Sequence, residues 1–188
     1  MYIKSHLSIA FILALFSMTL HAAIAPLSAE NLYREYRLKA AFLRYAVEFV
    51  EWPPEAIPES AINICIYGDI PSLEGINAIN GKIVNNRSIV IRTIQKLDIV
   101  KSGKQECQIL YLGDTKGAKL SSIIQEMKNL PVLTFGDKEG LAEKGGGMNF
   151  YSVNKRLGIM INQETIAKNK LNINPRMLKL VTIIPHLP

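Results

Sequence analysis

A chain of 188 residues, 48% of them apolar and with a formal net charge of +6, can bury a sizeable core and is neither disordered nor fibrous in composition. Its basic residues (Arg34, Arg37, Arg44, Lys82, Arg87, Arg92, Lys119, Lys168, Lys170, Arg176, Lys179) are scattered among acids. That pattern argues against a nucleic-acid partner and leaves only weak attraction to anionic membrane surfaces.

The first 29 residues read as a secretory signal peptide: Lys4 supplies the positive start, Leu7–Leu20 the apolar core, and His21–Ala29 a small-residue tail with cleavage positions at Ala22, Ala25 and Ala29. The apolar run is shorter than the ~20 residues a spanning helix needs. The expectation is therefore an exported, periplasmic chain whose residues 30–188 form one domain.

Lys39 to Pro53 follows, with Tyr36, Ala40, Leu43, Val47 and Val50 at helical spacing and Phe42, Tyr45 and Phe49 as a second apolar series. A lone surface helix needs one apolar stripe, so this one must be covered on more than one side. Pro53 and Pro54 stop it, because proline disfavours αR geometry in the residue before it and has no N–H. Ordinary core is the stronger reading for Phe42, Val47 and Val50. Tyr45, Glu48, Phe49 and Trp52 are the candidates for a partner or dimer contact.

Ala61–Tyr67, Cys107–Leu112 and Pro131–Phe135 are short apolar runs, each closed by Gly-Asp, and predict buried strands. Ser72–Ile79 predicts a helix ended by Gly81. Asn85-Asn86 predicts a turn between Lys82–Val84 and Ser88–Arg92. Leu120, Ile123, Ile124 and Met127 are spaced as the inner face of a helix. Met148–Val153 and Leu157–Ile161 predict an antiparallel hairpin across Asn154-Lys155-Arg156 at one end of the sheet. Asn162 is a plausible N-cap for Glu164–Lys170, and Pro175 opens a last helix with Met177, Leu178 and Val181 inward. Strands alternating with helices predict a three-layer α/β domain with a mixed, mainly parallel sheet and a C-terminal hairpin.

The two cysteines, Cys65 and Cys107, lie in apolar strand-like segments. A disulfide between adjacent strands is the stronger reading in an oxidising compartment, with two buried thiols as the other. There is no Cys-x-x-Cys and no adjacent base to activate a thiolate.

Chemistry is sparse. Beyond the signal, the only histidine is His186, near the chain's end, which removes most metal sites and Ser-His or Cys-His schemes. No Gly-x-Ser-x-Gly elbow occurs. Gly113-Asp114-Thr115-Lys116-Gly117-Ala118-Lys119 follows a strand but lacks the Gly-Lys-Ser/Thr of a phosphate loop, and reads as a turn. Gly145–Gly147 reads as a turn with a backbone anion nest as the alternative. Asp69, Asp114 and Asp137 each close a strand, where α/β folds collect ligands; helix capping is the stronger reading of all three. Neither an enzyme nor a cofactor is expected.

Lys39-Ala-Ala-Phe-Leu43, Phe49-Val-Glu-Trp-Pro53, Ile64-Cys-Ile-Tyr-Gly-Asp69, Cys107-Gln-Ile-Leu-Tyr-Leu-Gly113, Pro131-Val-Leu-Thr134 and Gly146-Gly-Met-Asn-Phe150 stand in one order. Together they resemble the YfiR-like family of periplasmic regulatory proteins over nearly all of residues 30–188. The resemblance implies an α/β fold, a Cys65–Cys107 pair and a homodimer. It also implies repression of an inner-membrane diguanylate cyclase, and hence control of cyclic di-GMP and biofilm formation. The implied partner is the periplasmic domain of that cyclase or of a sensor kinase, with sequestration by an outer-membrane-associated lipoprotein. The chain departs from the family pattern at Met160, where Glu is common, at Asn174-Pro175, where Ser-rich sequence is common, and in lacking a second cysteine pair. The competing expectation is a small-ligand-binding or accessory module for a sensor kinase or transport system, with its site at Asp69, Asp114 and Asp137.

Overall fold

The computed structural model describes residues 25–101, 106–115, 120–154 and 156–184. The apolar run of the proposed signal, with Ala22, residues 116–119 of the glycine-bearing loop, and His186 lie outside the described residues. Ala25 and Ala29 fall at the start of the first helix. Among the described residues no helix is long and apolar enough to cross a membrane.

That helix, α1, runs Ala25–Phe49, ends three residues before the Trp52 boundary that the prolines predict, and gives way to β1, Val50–Glu51. The reason is a long-range pairing. β9, Asn172–Ile173, lies antiparallel to β1, and Asn174 donates its amide to the Phe49 carbonyl at 2.9 Å. Pro54–Ala56 is then a single 3₁₀ turn.

The main sheet holds β2 (Ala61–Tyr67), β3 (Ile83–Val84), β4 (Arg87–Ile94), β5 (Ile109–Leu112), β6 (Leu133–Gly136), β7 (Met148–Val153), β8 (Arg156–Ile161) and β10 (Thr182–Ile183). Their order is β10-β8-β7-β6-β5-β2-β4-β3. The pairs β2–β4, β2–β5, β5–β6, β6–β7 and β8–β10 are parallel, while β3–β4 and β7–β8 are antiparallel. The predicted C-terminal hairpin is present, but β10 pairs outside it, so the hairpin is not the sheet's last pair.

Local chemistry explains many of the boundaries. Asn85 and Asn86 both take positive φ (49° and 62°), the backbone a type I′ hairpin turn requires. Ser72 caps α2, Leu73–Asn77, by accepting from the Gly75 amide. Asn162 caps α5, Gln163–Lys168, by accepting from Thr165, and Pro175 opens α6, Pro175–Leu178. Met177 is buried there, with Leu178 and Val181 packed against the core. Two further helices among the described residues are α3 (Asp98–Lys101) and α4 (Leu120–Met127).

Strand alternation divides the core into two layers. Ile62, Ile64 and Ile66 of β2, Ile109 and Tyr111 of β5, and Leu133 and Phe135 of β6 pack with Tyr36, Ala40, Leu43 and Val47 of α1. Cys65, Leu110 and Leu112 point the other way, into a cluster with Ile123 and Met127 of α4. Strands covered on both faces read as unbroken apolar runs, which is why β2, β5 and β6 stood out in the sequence. α2 lies so close to α1 that a Cβ on Gly75 would sit 2.5 Å from Tyr36 Cβ, so glycine alone fits this crossing.

Candidate functional site

α1 presents two faces of different character. Inward, Tyr36, Lys39, Ala40, Leu43, Ala46 and Val47 are buried. Outward, Leu38, Phe42, Tyr45 and Phe49 recur at spacings of four, three and four, and so fall within about 60° of the helix circumference. Leu38 is 50% exposed and Tyr45 40%, with Phe42 and Phe49 half-buried between them. Tyr45 stacks on Phe49 at 6.2 Å, and Phe42 contacts both Tyr45 (6.4 Å) and the core ring of Phe150 (6.1 Å). The row is thus an aromatic ridge rooted in the core and open on its outer side. Arg44 and Glu48, paired with each other at 3.6 Å, flank it, and Asn85 of the β3–β4 turn donates to the Glu48 carbonyl at 3.2 Å.

Trp52 belongs to the core rather than to this ridge. It is 7% exposed, and its indole N–H donates to the Gln108 carbonyl at 3.2 Å. Gln108, fully buried at the start of β5, also accepts from the Asn63 amide (2.8 Å) and donates to the Ala56 carbonyl (3.1 Å). Gln108 therefore ties both ends of the Trp52–Ala56 segment, Trp52 through its backbone carbonyl and Ala56 through its side-chain amide. The outward set becomes Tyr45, Glu48 and Phe49, joined by Leu38, which the second apolar series did not include.

A buried polar cluster fastens α1 to the sheet. Lys39 Nζ lies 2.8 Å from Asp137 Oδ1 and 2.6 Å from Glu35 Oε1, and 4.3 Å from the centre of the Tyr36 ring. The hydroxyls of Tyr36 and Tyr111 both donate to Asp137 Oδ2, at 2.7 and 2.8 Å. Asp137 is thus an anchor joining α1, β5 and the end of β6, not a helix cap. A lysine set between apolar Tyr36 and Leu43 on the inward stripe was the sequence signal for it, since an ammonium there needs a buried partner.

Burial first, and then the Asp137 carboxylate, pushes both tyrosine hydroxyls well above their ordinary range. The unfolded chain releases these protons near pH 10, while the folded chain holds them to higher pH. The stability they contribute is therefore complete below about pH 10 and falls as pH rises beyond it. Urea titrations between pH 8 and 11 should show this loss, with a shallower slope in Tyr36→Phe/Tyr111→Phe. An unchanged slope in that variant would remove the assignment.

The other two aspartates meet at the same sheet edge. Asp69 and Asp114 exchange backbone hydrogen bonds (2.8 and 2.7 Å) in an isolated antiparallel bridge, and Lys138 reaches Asp114 Oδ1 at 3.1 Å. Gly68, at φ +88°, and Gly113 allow this approach, because a Cβ on either would strike the opposite backbone. Ser72, not Asp69, caps α2. Among the described residues no group of His, Cys, Asp or Glu could hold a metal ion. Nor is there an anion nest at Gly145–Gly147, because those amides donate to Ala142 O, Leu141 O and Thr134 Oγ1. The Gly113 amide is likewise committed to the Tyr67 carbonyl.

Cys65 and Cys107 form a disulfide, with Cα atoms 5.7 Å apart. It lies on the α4 side of the sheet, opposite α1.

A family model described as YfiR/HmsC-like matches residues 36–182. No curated protein matches the chain. Among solved structures, a conserved domain protein from Vibrio cholerae O1 biovar El Tor strain N16961 matches with a TM-score of 0.42 at 16% identity, over 69% of this chain and 56% of that one. The chain thus spans little more than half the length of that structure.

Proposed function

The chain belongs to the YfiR/HmsC-like family of periplasmic, non-catalytic regulators of cyclic di-GMP signalling, and from that premise we propose that it binds the periplasmic sensor domain of an inner-membrane diguanylate cyclase and represses it. The observation that carries this reading is the Leu38–Phe42–Tyr45–Phe49 ridge. Apolar anchors at i, i+4, i+7 and i+11 are how a helix seats in a hydrophobic groove, and aromatic side chains dominate the centres of such interfaces.

Repression needs no chemistry. A protein that prefers the inactive conformation of a sensor domain shifts its equilibrium by the difference in affinity for the two states. A second copy of the chain can use the same ridge as a homodimer, and a lipoprotein at the outer membrane that covers it would release the cyclase. The strand-end aspartates do not favour the ligand-module reading: Asp69 and Asp114 commit backbone to each other, and Asp137 commits its carboxylate to Lys39 and two tyrosines.

Tyr45→Ala/Phe49→Ala should weaken sensor-domain capture about 30-fold, at roughly 2 kcal/mol for the stacked pair lost together. Tyr45 is exposed and Phe49 half-buried, so thermal stability should fall much less than binding. In a deletion strain cyclic di-GMP should rise, and the double variant should fail to restore it. Full complementation by that variant would sink the proposal.

A further inference from the structure

At the end of α1 lies a groove of about 420 Å³ between the Trp52 segment and the β3–β4 hairpin. Val50, Trp52, Ile57, Ile62 and Val84 line it, and Glu51, Glu59 and Arg87 stand at its rim. This size lies within the ~300–1000 Å³ of ordinary binding clefts. Val47, at the end of α1, lines the groove as well, and Asn85, in its wall, donates to the Glu48 carbonyl, so the groove adjoins the helix end that carries the ridge.

The charge around the groove is opposite to that of the chain. Glu48, Glu51, Glu55 and Glu59 fall within twelve residues of a protein whose net charge is +6. Arg44 pairs with Glu48. Arg87 is half-buried and bonds the carbonyls of Pro58 (3.0 Å) and Asn85 (3.5 Å), so its charge offsets only one of the two exposed rim carboxylates and leaves the rim net negative. Glu51 accepts from neutral Asn172 at 2.9 Å, so its charge is not neutralised.

We propose that this groove seats a basic–apolar segment of the sensor-domain partner, an apolar side chain entering beside Trp52 with flanking lysine or arginine at Glu51 and Glu59. The assignment rests on the ridge being the docking face and names the chemistry of what docks there. Apolar burial at the centre supplies affinity, while the acidic rim selects sequence and makes binding salt-dependent.

Trp52 is the chain's only tryptophan, so its emission reports the groove directly. The probe is the capped peptide Lys-Ile-Leu-Lys, with capped Glu-Ile-Leu-Glu as its charge-reversed counterpart. The cationic peptide should shift Trp52 emission saturably, about fivefold more weakly in Glu51→Gln/Glu59→Gln, and less as salt is raised. The anionic peptide should not saturate. Equal responses to both peptides, or an unchanged response in the variant, would overturn the proposal. So would a homodimer that the cationic peptide dissociates, because a second copy would then occupy the groove. Sensor capture lost in Tyr45→Ala/Phe49→Ala but intact in Glu51→Gln/Glu59→Gln removes the groove and spares the ridge. Peptide binding without any sensor capture supports the groove and removes the proposed repression.

Discussion

Asp137→Ala should destabilise the protein by about 3 kcal/mol, the lower end of the ~3–5 kcal/mol that removing one partner of a buried ion pair costs. The lower end applies because the Asp137 side chain is 25% exposed and Glu35 remains beside the ammonium. Lys39, at 7% side-chain exposure, nonetheless loses its interior counter-charge, and two tyrosine hydroxyls lose their acceptor. At about 2–4 °C per kcal/mol for a domain of this size, the melting temperature should fall by roughly 6–12 °C. Lys39→Met should cost less, since it keeps the apolar stem and leaves a carboxylate that two tyrosines and solvent still satisfy. That asymmetry identifies the cause: the penalty belongs to the stranded ammonium, not to the pair as such. Hydrogen exchange should accelerate first in α1, which the cluster holds to β5 and the end of β6. Asp137→Ala within 0.5 kcal/mol of wild type by urea unfolding, a margin typical of surface substitutions, would show that packing alone holds the helix.

The parts of the fold legible in the sequence are those whose cause is local. β2, β5 and β6 announced themselves because burial on both faces demands unbroken apolar runs. Asn85-Asn86, Asn162 and Pro175 carry their turn and cap chemistry in their own side chains. What stayed hidden depends on residues far apart in the chain. β1 and β9 are two-residue strands that exist only because Val50 meets Ile173. β10 is equally short and rests on Ile161. Trp52 is drawn inward by Gln108, 56 residues away, and Tyr36 meets Asp137 across 101 residues. The roles of the strand-end aspartates are hidden in the sequence for the same reason. A Gly-Asp pair looks alike whether the aspartate caps a helix, bridges a neighbouring loop or anchors a lysine, and only the pairing distinguishes these. The outward ridge was half legible: its rings are in the sequence, but which of them face solvent depends on Phe150 taking Phe42.

Removing the disulfide by Cys65→Ala/Cys107→Ala should cost about 3–4 kcal/mol, since closing a loop across 42 residues restricts the unfolded chain by about that much in the chain-entropy model. The melting temperature should drop by roughly 6–16 °C. Because the effect lies in the unfolded state, the urea m-value should rise as the unreduced constraint on that state disappears. Both cysteines are almost completely buried, at 1% and 3% exposure, so reductant alone should act slowly and denaturant should speed it. The bridge faces α4, whereas the ridge projects from α1 on the other face of the sheet. The reduced protein, kept well below its melting temperature, should therefore capture the sensor domain as tightly as the oxidised one. Loss of capture with an unchanged circular-dichroism spectrum would instead make the bridge a redox switch that acts through the sheet. The purely structural role would then fail, and the coupling would have to run through β2, whose side chains alternate between the bridge and the face that packs on α1.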